Sequence, residues 1–364
     1  MIIQSIKLKN FRNYENLELE LNPGTNIFYG ENAQGKTNIL ESVYVCGTTK
    51  SHRGSRDSEM IRFGQEEAHI CMQIVRKDIP FRIDMHLKRN KKKGIAINGV
   101  PIKKAGELIG LGNFVFFSPE DLNIIKDGPA ERRRFMDMEL CQLSALYVQS
   151  LSNYNHILMQ RNKLLKDIYF HPELKDTLDI WDEQLVNYAE PVISMRRKFA
   201  DRINELASSV HSNLSGGKEK LSVSYEMNVS EDGFSLALAS NRDRDLLLKT
   251  TNSGLHRDDL MIKVNDIDVR RFGSQGQQRT AALSLKLAEI ELSRIESGDV
   301  PVLLLDDVLS ELDKYRQHFL LESIDQIQTL ITCTGVEDFT ANKFTIDRLF
   351  NVKCGIVRED MNGR

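Results

Sequence analysis

The stretch Tyr29–Asn38, YGENAQGKTN, constrains this chain more than any other. Gly30, Gly35, Lys36 and Thr37 fit G-x-x-x-x-G-K-[ST], the spacing of a phosphate-binding loop. Glycines let backbone N–H groups curl around phosphate oxygens without a Cβ in the way. A helix that opens directly after the loop points its positive end at the anion. The motif therefore needs a buried strand before it and a helix after it. Asn26–Tyr29 (NIFY) reads as that strand and Asn38–Val45 (NILESVYV) as the start of that helix. In this setting Gly30, Glu31, Asn32, Ala33, Gln34, Gly35, Lys36 and Thr37 form a candidate nucleotide loop. Lys36 would reach β- and γ-phosphates and the Thr37 hydroxyl would ligate Mg²⁺. A plain glycine turn with a solvated lysine is the competing reading, and the flanking strand and helix weigh against it.

Such a loop needs an acidic partner. Pro301–Asp307 (PVLLLDD) supplies four consecutive apolar residues ending in two carboxylates, the pattern of a strand buried on both faces with acids at its exit. Asp306 would hold Mg²⁺ through water, and Asp307 sits where an attacking water could be activated. Leu330–Thr334 (LITCT) reads as one further buried strand whose end could bring Thr334 to the γ-phosphate. The two motifs lie about 270 residues apart yet must meet at one cation. The two ends of the chain are therefore expected to build one sheet, with the middle inserted. The expected division is a first lobe of 1–117 and 297–364 and an inserted lobe of 118–296. The fold class is α/β.

The inserted part has its own composition. From Pro129 to about Ser212 long, charged, helix-forming residues dominate, with Leu140, Leu143, Leu146, Leu151, Tyr154 and Leu158 at roughly helical spacing. Two or three helices are expected, forming a short antiparallel arm. No heptad is sustained long enough for a long coiled coil. Ser215-Gly216-Gly217 is read as a loop, and Leu221–Val229 and Phe234–Ala239 as strands. Ser274–Arg279 (SQGQQR) opens a helix through Ile295, making a second anion-binding terminus or an ordinary N-cap. Before the insertion, Residues 2–30 read as strands with Lys9–Tyr14 as a polar interruption, and Lys88–Lys93 (KRNKKK) as a solvated hairpin tip or a phosphate contact.

Composition closes off several classes. With 41% hydrophobic and 28% charged residues the 364-residue chain is expected to be soluble and globular. A net charge of −3 excludes a wholly basic nucleic-acid coat but not a local basic patch. No apolar run approaches a membrane span of about 20 residues. Five scattered cysteines without ligand spacing argue for free thiols in a reducing cytoplasm and against zinc.

Lys7–Tyr14 (KLKNFRNY), GENAQGKTN, SPEDL, Gly128–Asp137 (GPAERRRFMD), Gly254–Asp259 (GLHRDD), SQGQQR and LLLDDVLSELD occur in the order seen in the RecF family, which this chain resembles over essentially its whole length. The resemblance implies an ABC-type P-loop ATPase head with an inserted, mainly helical second lobe. It implies ATP and Mg²⁺ as cofactors and a dimer that closes on ATP. It places Arg12 and Asn13 near the nucleotide. It makes Ser274, Gln275, Gly276 and Gln277 the signature contacts across the dimer, and Ser310 to Asp313 the dimer-contacting loop. The family binds DNA at single-strand/double-strand junctions and helps load RecA with RecO and RecR partners, in gap repair and the SOS response. Its ATPase is weak and DNA-stimulated. Leu255 stands where the family usually has proline, and Asp307 where related ATPases often carry glutamate. Two other readings carry the same motifs: a transporter's ATPase subunit, disfavoured by the long insertion, and an SMC-like chromosome-bridging head, disfavoured by the short arm. For a DNA-binding function the candidate contacts are Lys88–Lys93, Lys103-Lys104, Arg132–Arg134 and Arg196–Lys198.

Overall fold

The computed structural model describes residues 1–108, 110–230, 232–336, 339 and 344–360. The chain divides into two units, Met1–Asp121 with Glu289–Arg364, and Leu122–Ala288.

The first unit opens with β1 (Ile2–Phe11), β2 (Tyr14–Glu20), β3 (Thr25–Tyr29) and helix α1 (Lys36–Thr48). The polar interruption expected over Lys9–Tyr14 contracts to a two-residue turn, Arg12–Asn13. Phe11 and Tyr14 are register partners and both are fully buried, so the strands run up to the turn on either side. β4 (Glu67–Arg76), β5 (Ile79–Lys88), β6 (Lys91–Ile97) and β7 (Val100–Pro101) complete an antiparallel sheet of order β2-β1-β4-β5-β6-β7. The lysine-rich run becomes the β5–β6 hairpin, whose turn is Arg89–Asn90. β8 (Phe114–Phe117) follows.

In the second unit come α2 (Asn123–Lys126), α3 (Pro129–Leu143), α4 (Ala145–Asp167), α5 (Leu178–Leu214) and β9 (Leu221–Glu226). After them come α6 (Phe234–Ser240), α7 (Arg242–Leu248), β10 (Asp259–Val264), β11 (Ile267–Asp268), α8 (Val269–Phe272) and α9 (Gln275–Ser297), whose residues from Glu289 on belong to the first unit. β11-β10-β9 form a small antiparallel sheet, and α4 packs along α5. The strand expected over Phe234–Ala239 is helix α6 instead. Phe, Leu and Leu alternate there, but Phe234 and Leu238 are buried while Leu236 is 71% exposed. A spacing of four on one face with the middle residue outside is helical, not extended.

The chain then returns to the first unit as β12 (Val302–Asp306), α10 (Lys314–Ser323), β13 (Thr329–Cys333), β14 (Arg348–Lys353) and β15 (Ile356–Glu359). These strands join β3 and β8 in a second sheet of order β15-β14-β3-β13-β12-β8. Every neighbouring pair is parallel except β14–β15. α1 packs on strands of both sheets, which explains why Ile39, Leu40, Val43, Val45 and Cys46 are buried around its whole circumference.

Inside the second unit the motifs GPAERRRFMD and GLHRDD form one ionic network. Arg132 grips Asp259 with two bonds, 2.7 and 2.9 Å, and Arg196 donates to Asp137, to the Leu255 carbonyl and to Asp258. A second network is deeper. Arg161 on α4 donates to Asp182 on α5 at 2.6 Å and to Asp245 on α7 at 2.7 Å, and Arg161 and Asp245 are both fully buried. Removing one partner of such a pair strands a buried charge. Asp245→Ala is therefore expected to lower stability by about 3 kcal/mol in chemical denaturation. A loss below about 1 kcal/mol would mean that Asp182 alone neutralises Arg161.

Candidate functional site

The site is assembled at the carboxyl ends of four parallel strands. The glycine loop follows β3, Asp306 ends β12, Thr332 lies near the end of β13, and Ser118–Glu120 follow β8. That is where an open α/β sheet places its ligand crevice. Here these ends line a cavity of about 400 Å³, bounded by Asn32–Asn38, His52, Arg53, Ser118–Glu120, Asp306, Asp307 and Thr332, a volume within the usual small-molecule range.

Two glycines are sterically required. Gly30 has φ 150°, and a Cβ there would meet the Val352 carbonyl oxygen at 2.4 Å. Gly35 has φ 108°, and a Cβ would meet Asn13 Nδ2 at 2.3 Å. Gly35 is also the N-cap of α1, and no side chain caps that terminus. The helix-end N–H groups thus keep the open donors an anion needs. Lys36 Nζ donates to the carbonyl oxygens of Gly30 (2.5 Å) and Glu31 (2.8 Å), folding over the loop. Burial pushes its ammonium pKa down, against the opposing pull of Asp307, Cys333 and Asp306.

Thr37 Oγ1 donates to Asp306 Oδ1 at 2.6 Å, and Thr332 Oγ1 donates to the same oxygen at 2.7 Å. Two hard oxygen donors, from Thr37 and Asp306, converge at the cavity floor. That donor chemistry fits a Mg²⁺ ion completed by water and phosphate oxygens. Asp307 adopts φ 52°, a left-handed conformation, and its carbonyl oxygen accepts from Ser310 Oγ at 2.8 Å. Burial raises the pKa of its carboxyl; a hydrogen bond from Ser310 and the charge of Lys36 oppose the shift.

The remaining expected residues fall in different places. Asn13 braces the loop from outside: its Nδ2 donates to the Gln34 carbonyl at 3.1 Å and its Oδ1 accepts from Asn38 at 2.8 Å. Arg12 does not line the cavity. Its guanidinium is spent on the Glu41 carboxylate, Ser55 Oγ and the Glu59 carbonyl. Glu41 is fully buried; burial alone would raise its pKa, but hydrogen bonds from Arg12 and Ser51 outweigh this and hold it below the usual range. Asp313 caps α10, accepting from the Arg316 N–H at 3.0 Å. Ser274, Gln275, Gly276 and Gln277 belong to the second unit and are not among the cavity-lining residues. Ser274 Oγ accepts from the Gln277 N–H and Gln277 Oε1 accepts from the Ser274 N–H, a reciprocal capping box at the start of α9.

Sequence reasoning missed several lining groups. Thr332 meets Asp306, and Thr334 lies past the end of β13 and is exposed. The signal for Ser118–Glu120 was present, since Phe114–Phe117 is an apolar strand with a polar exit, as β12 is. His52 and Arg53 stood in a loop notable only for basic residues; His52 stacks on Phe116 with ring centroids 3.8 Å apart. Two of the four basic clusters are also reduced. Arg132 and Arg196 are buried in ion pairs, so neither is placed to meet a phosphate backbone.

Comparison with known proteins decides the family. A family model described as the RecF/RecN/SMC N terminal domain matches residues 2–356. "DNA replication and repair protein RecF" of Lachnoclostridium phytofermentans is 58% identical over 359 residues, 99% of this chain and 100% of the relative. The chain belongs to the RecF family. The RecF of Lachnospira eligens is 57% identical, covering 98% of this chain and 99% of its own. Among solved structures, the recombination mediator protein RecF-ATP of the RecFOR pathway aligns with a TM-score of 0.91 at 35% identity, over 99% of this chain and 97% of that one. An Smc head domain from Pyrococcus furiosus aligns with a TM-score of 0.57 at 18% identity over 99% and 96%, a likeness of fold. The chain therefore has the fold of an ABC-type P-loop ATPase head, as a RecF-family replication and repair protein.

The raised Asp307 pKa makes a signed prediction. An acid whose folded pKa is raised contributes stability that is complete below its unfolded pKa and lost as pH rises through the folded value. Asp307→Asn is expected to melt higher than wild type at pH 7. The difference should shrink on acidification below the ordinary carboxylate range. Thermal melts across pH showing a constant or negative difference would contradict the assignment.

Proposed function

We propose that this chain is an ATP-switched DNA-binding protein of recombination and repair. In this reading ATP and Mg²⁺ close two copies into a sandwiched dimer that acts as a clamp at single-strand/double-strand DNA junctions. The clamp works with RecR and RecO-type mediators to assist RecA loading in gap repair, in replication and in the SOS response. The observation that carries the reading is the 2.6 Å contact between Thr37 of the glycine loop and Asp306 of the acidic strand at the floor of the cavity. The names of the relatives, which speak of replication, repair and a RecF-ATP structure, support it.

The roles follow from the groups present. Backbone N–H groups of the loop and the opening of α1 receive phosphate oxygens, and Lys36 supplies the compensating charge. Thr37 and Asp306 would hold Mg²⁺, which when bound supplies charge neutralisation at the phosphates. Asp307 is the candidate base toward an attacking water. Aspartate is one methylene shorter than glutamate, and this one is fixed in a left-handed backbone conformation. Its reach is therefore limited, and a slow, DNA-stimulated ATPase suits a switch. We expect kcat well below the common enzyme value of about 10 s⁻¹; steady-state phosphate release at or above it would contradict the switch. On the second unit, Ser274–Gln277 would meet the nucleotide of the partner copy, with Ser310 and Asp313 at the dimer contact. No helix among the described residues is long and apolar enough to cross a membrane. A cytoplasmic protein without a membrane partner is proposed.

Light scattering with ATP·Mg²⁺ tests the sandwich. Lys36→Ala should remain monomeric because the phosphate charge is uncompensated. Ser274→Arg should bind ATP as a monomer yet fail to dimerise, because bulk is added at the facing surface. If Lys36→Ala dimerises on ATP, or Ser274→Arg loses ATP binding, the assignment of the two surfaces fails.

A further inference from the structure

The loop Ser215-Gly216-Gly217 has no role in the site described above. What it does instead is present one carboxylate. Ser215 Oγ accepts from the Glu219 N–H at 3.2 Å and has the Ser212 carbonyl at 3.2 Å and the Glu219 carbonyl at 3.4 Å as acceptors for its single proton. Gly216 and Gly217 have φ 61° and 76°, so the chain reverses tightly after α5. Lys220 then pairs with Asn265 through its N–H and its carbonyl, fixing the turn on the small sheet.

Held this way, Glu219 points both oxygens at partners. Oε1 accepts from Gln277 Nε2 at 2.8 Å, and Oε2 lies 3.3 Å from Nε2 of His211, a fully buried residue near the end of α5. His211 Nδ1 is in turn 3.1 Å from Ser284 Oγ on α9. The Gln277 amide has one orientation that satisfies both ends. The Ser274 N–H can only donate, so it takes Oε1; the Glu219 carboxylate only accepts, so it takes Nε2. Glu219 thus locks the capping box from which the exposed Ser274, Gln275 and Gly276 project.

We infer that Glu219 is a positioning residue for the Ser274–Gln277 signature, setting the Gln277 amide and through it the geometry at the start of α9. The consequence for dimerisation rests on the ATP-sandwich reading; the positioning itself does not. Glu219→Gln keeps an acceptor, its amide oxygen, for Gln277, and turns an –NH₂ donor toward His211 Nε2, where the carboxylate only accepts. Glu219→Ala removes both.

Two measurements separate the inference from the reading beneath it. The first is amide hydrogen exchange in nucleotide-free protein, over a peptide spanning residues 270–280. Glu219→Ala should speed exchange there about tenfold, and Glu219→Gln and Lys218→Ala should stay within about twofold of wild type, since the acceptor for Gln277 is lost only in the first. The second is ATP-dependent dimerisation. Glu219→Ala should weaken the dimer about tenfold, with monomer ATP affinity unchanged within about twofold and dimerisation rescued by Glu219→Gln. Wild-type exchange rates in Glu219→Ala would overturn the positioning role. Altered exchange with unimpaired dimerisation would overturn its consequence for the dimer. Altered exchange, together with a wild type that stays monomeric on ATP, would uphold the positioning role and refute the sandwich instead.

Discussion

Thr37 and Asp306 are 269 positions apart in the chain and 2.6 Å apart in space. That contact depends on the parallel order β3-β13-β12. β13 separates the strand that feeds the glycine loop from the strand that ends in the acids. Its Thr332 reaches Asp306 Oδ1 on one side and accepts from the Asp307 N–H on the other. Burial of β3, β13 and β12 fixes their register, and register fixes which residue stands at each carboxyl end. The hydrophobic centre of the sheet therefore decides the position of the polar groups at its rim. The N- and C-terminal parts of the chain are joined by the chemistry they share.

Much of this was legible in sequence because the motifs carry their own structural requirements. A glycine loop needs a strand before it and a helix after it, and the chain has both. An apolar run ending in two aspartates has few other uses once a phosphate loop is present. What was not legible falls into two classes. One is period: Phe234–Ser240 alternates like a strand and folds as a helix, because burial of Phe234 and Leu238 on one face outweighs the alternation. The other is partnership. Nothing in the sequence shows that Arg12 is bound to Glu41, or that Arg132 and Arg196 are buried against aspartates. A run of arginines reads as a basic patch until its carboxylate partners, which lie 59 to 127 positions away, are located.

The second unit shows the same economy of charge. Its buried arginines meet carboxylates from other helices and turns, so the ion pairs fix which segments pack together. Their partners must be placed well, since each unpaired charge would be costly in the interior. The exposed start of α9 is held by a carboxylate as well, Glu219 accepting from Gln277. The phosphate loop, by contrast, is supported from outside by Asn13, by Tyr14, and by the β14–β15 turn, whose Cys354 N–H reaches Gln34 at 2.6 Å. In both units the groups proposed to touch a ligand are held in place by hydrogen bonds: Lys36 to the Gly30 and Glu31 carbonyls, Thr37 to Asp306, and Ser274 with Gln277.

The measurement that tests the account most directly is fluorescence anisotropy of a labelled duplex carrying a single-stranded tail. It would compare wild type and Lys36→Ala, with and without ATP·Mg²⁺, over a range of salt. The account predicts binding by wild type with ATP alone, weakening steeply as salt rises, and none by Lys36→Ala. Equal binding in all four conditions would show that the nucleotide cavity does not control DNA, and absence of binding in every condition would contradict the DNA reading itself.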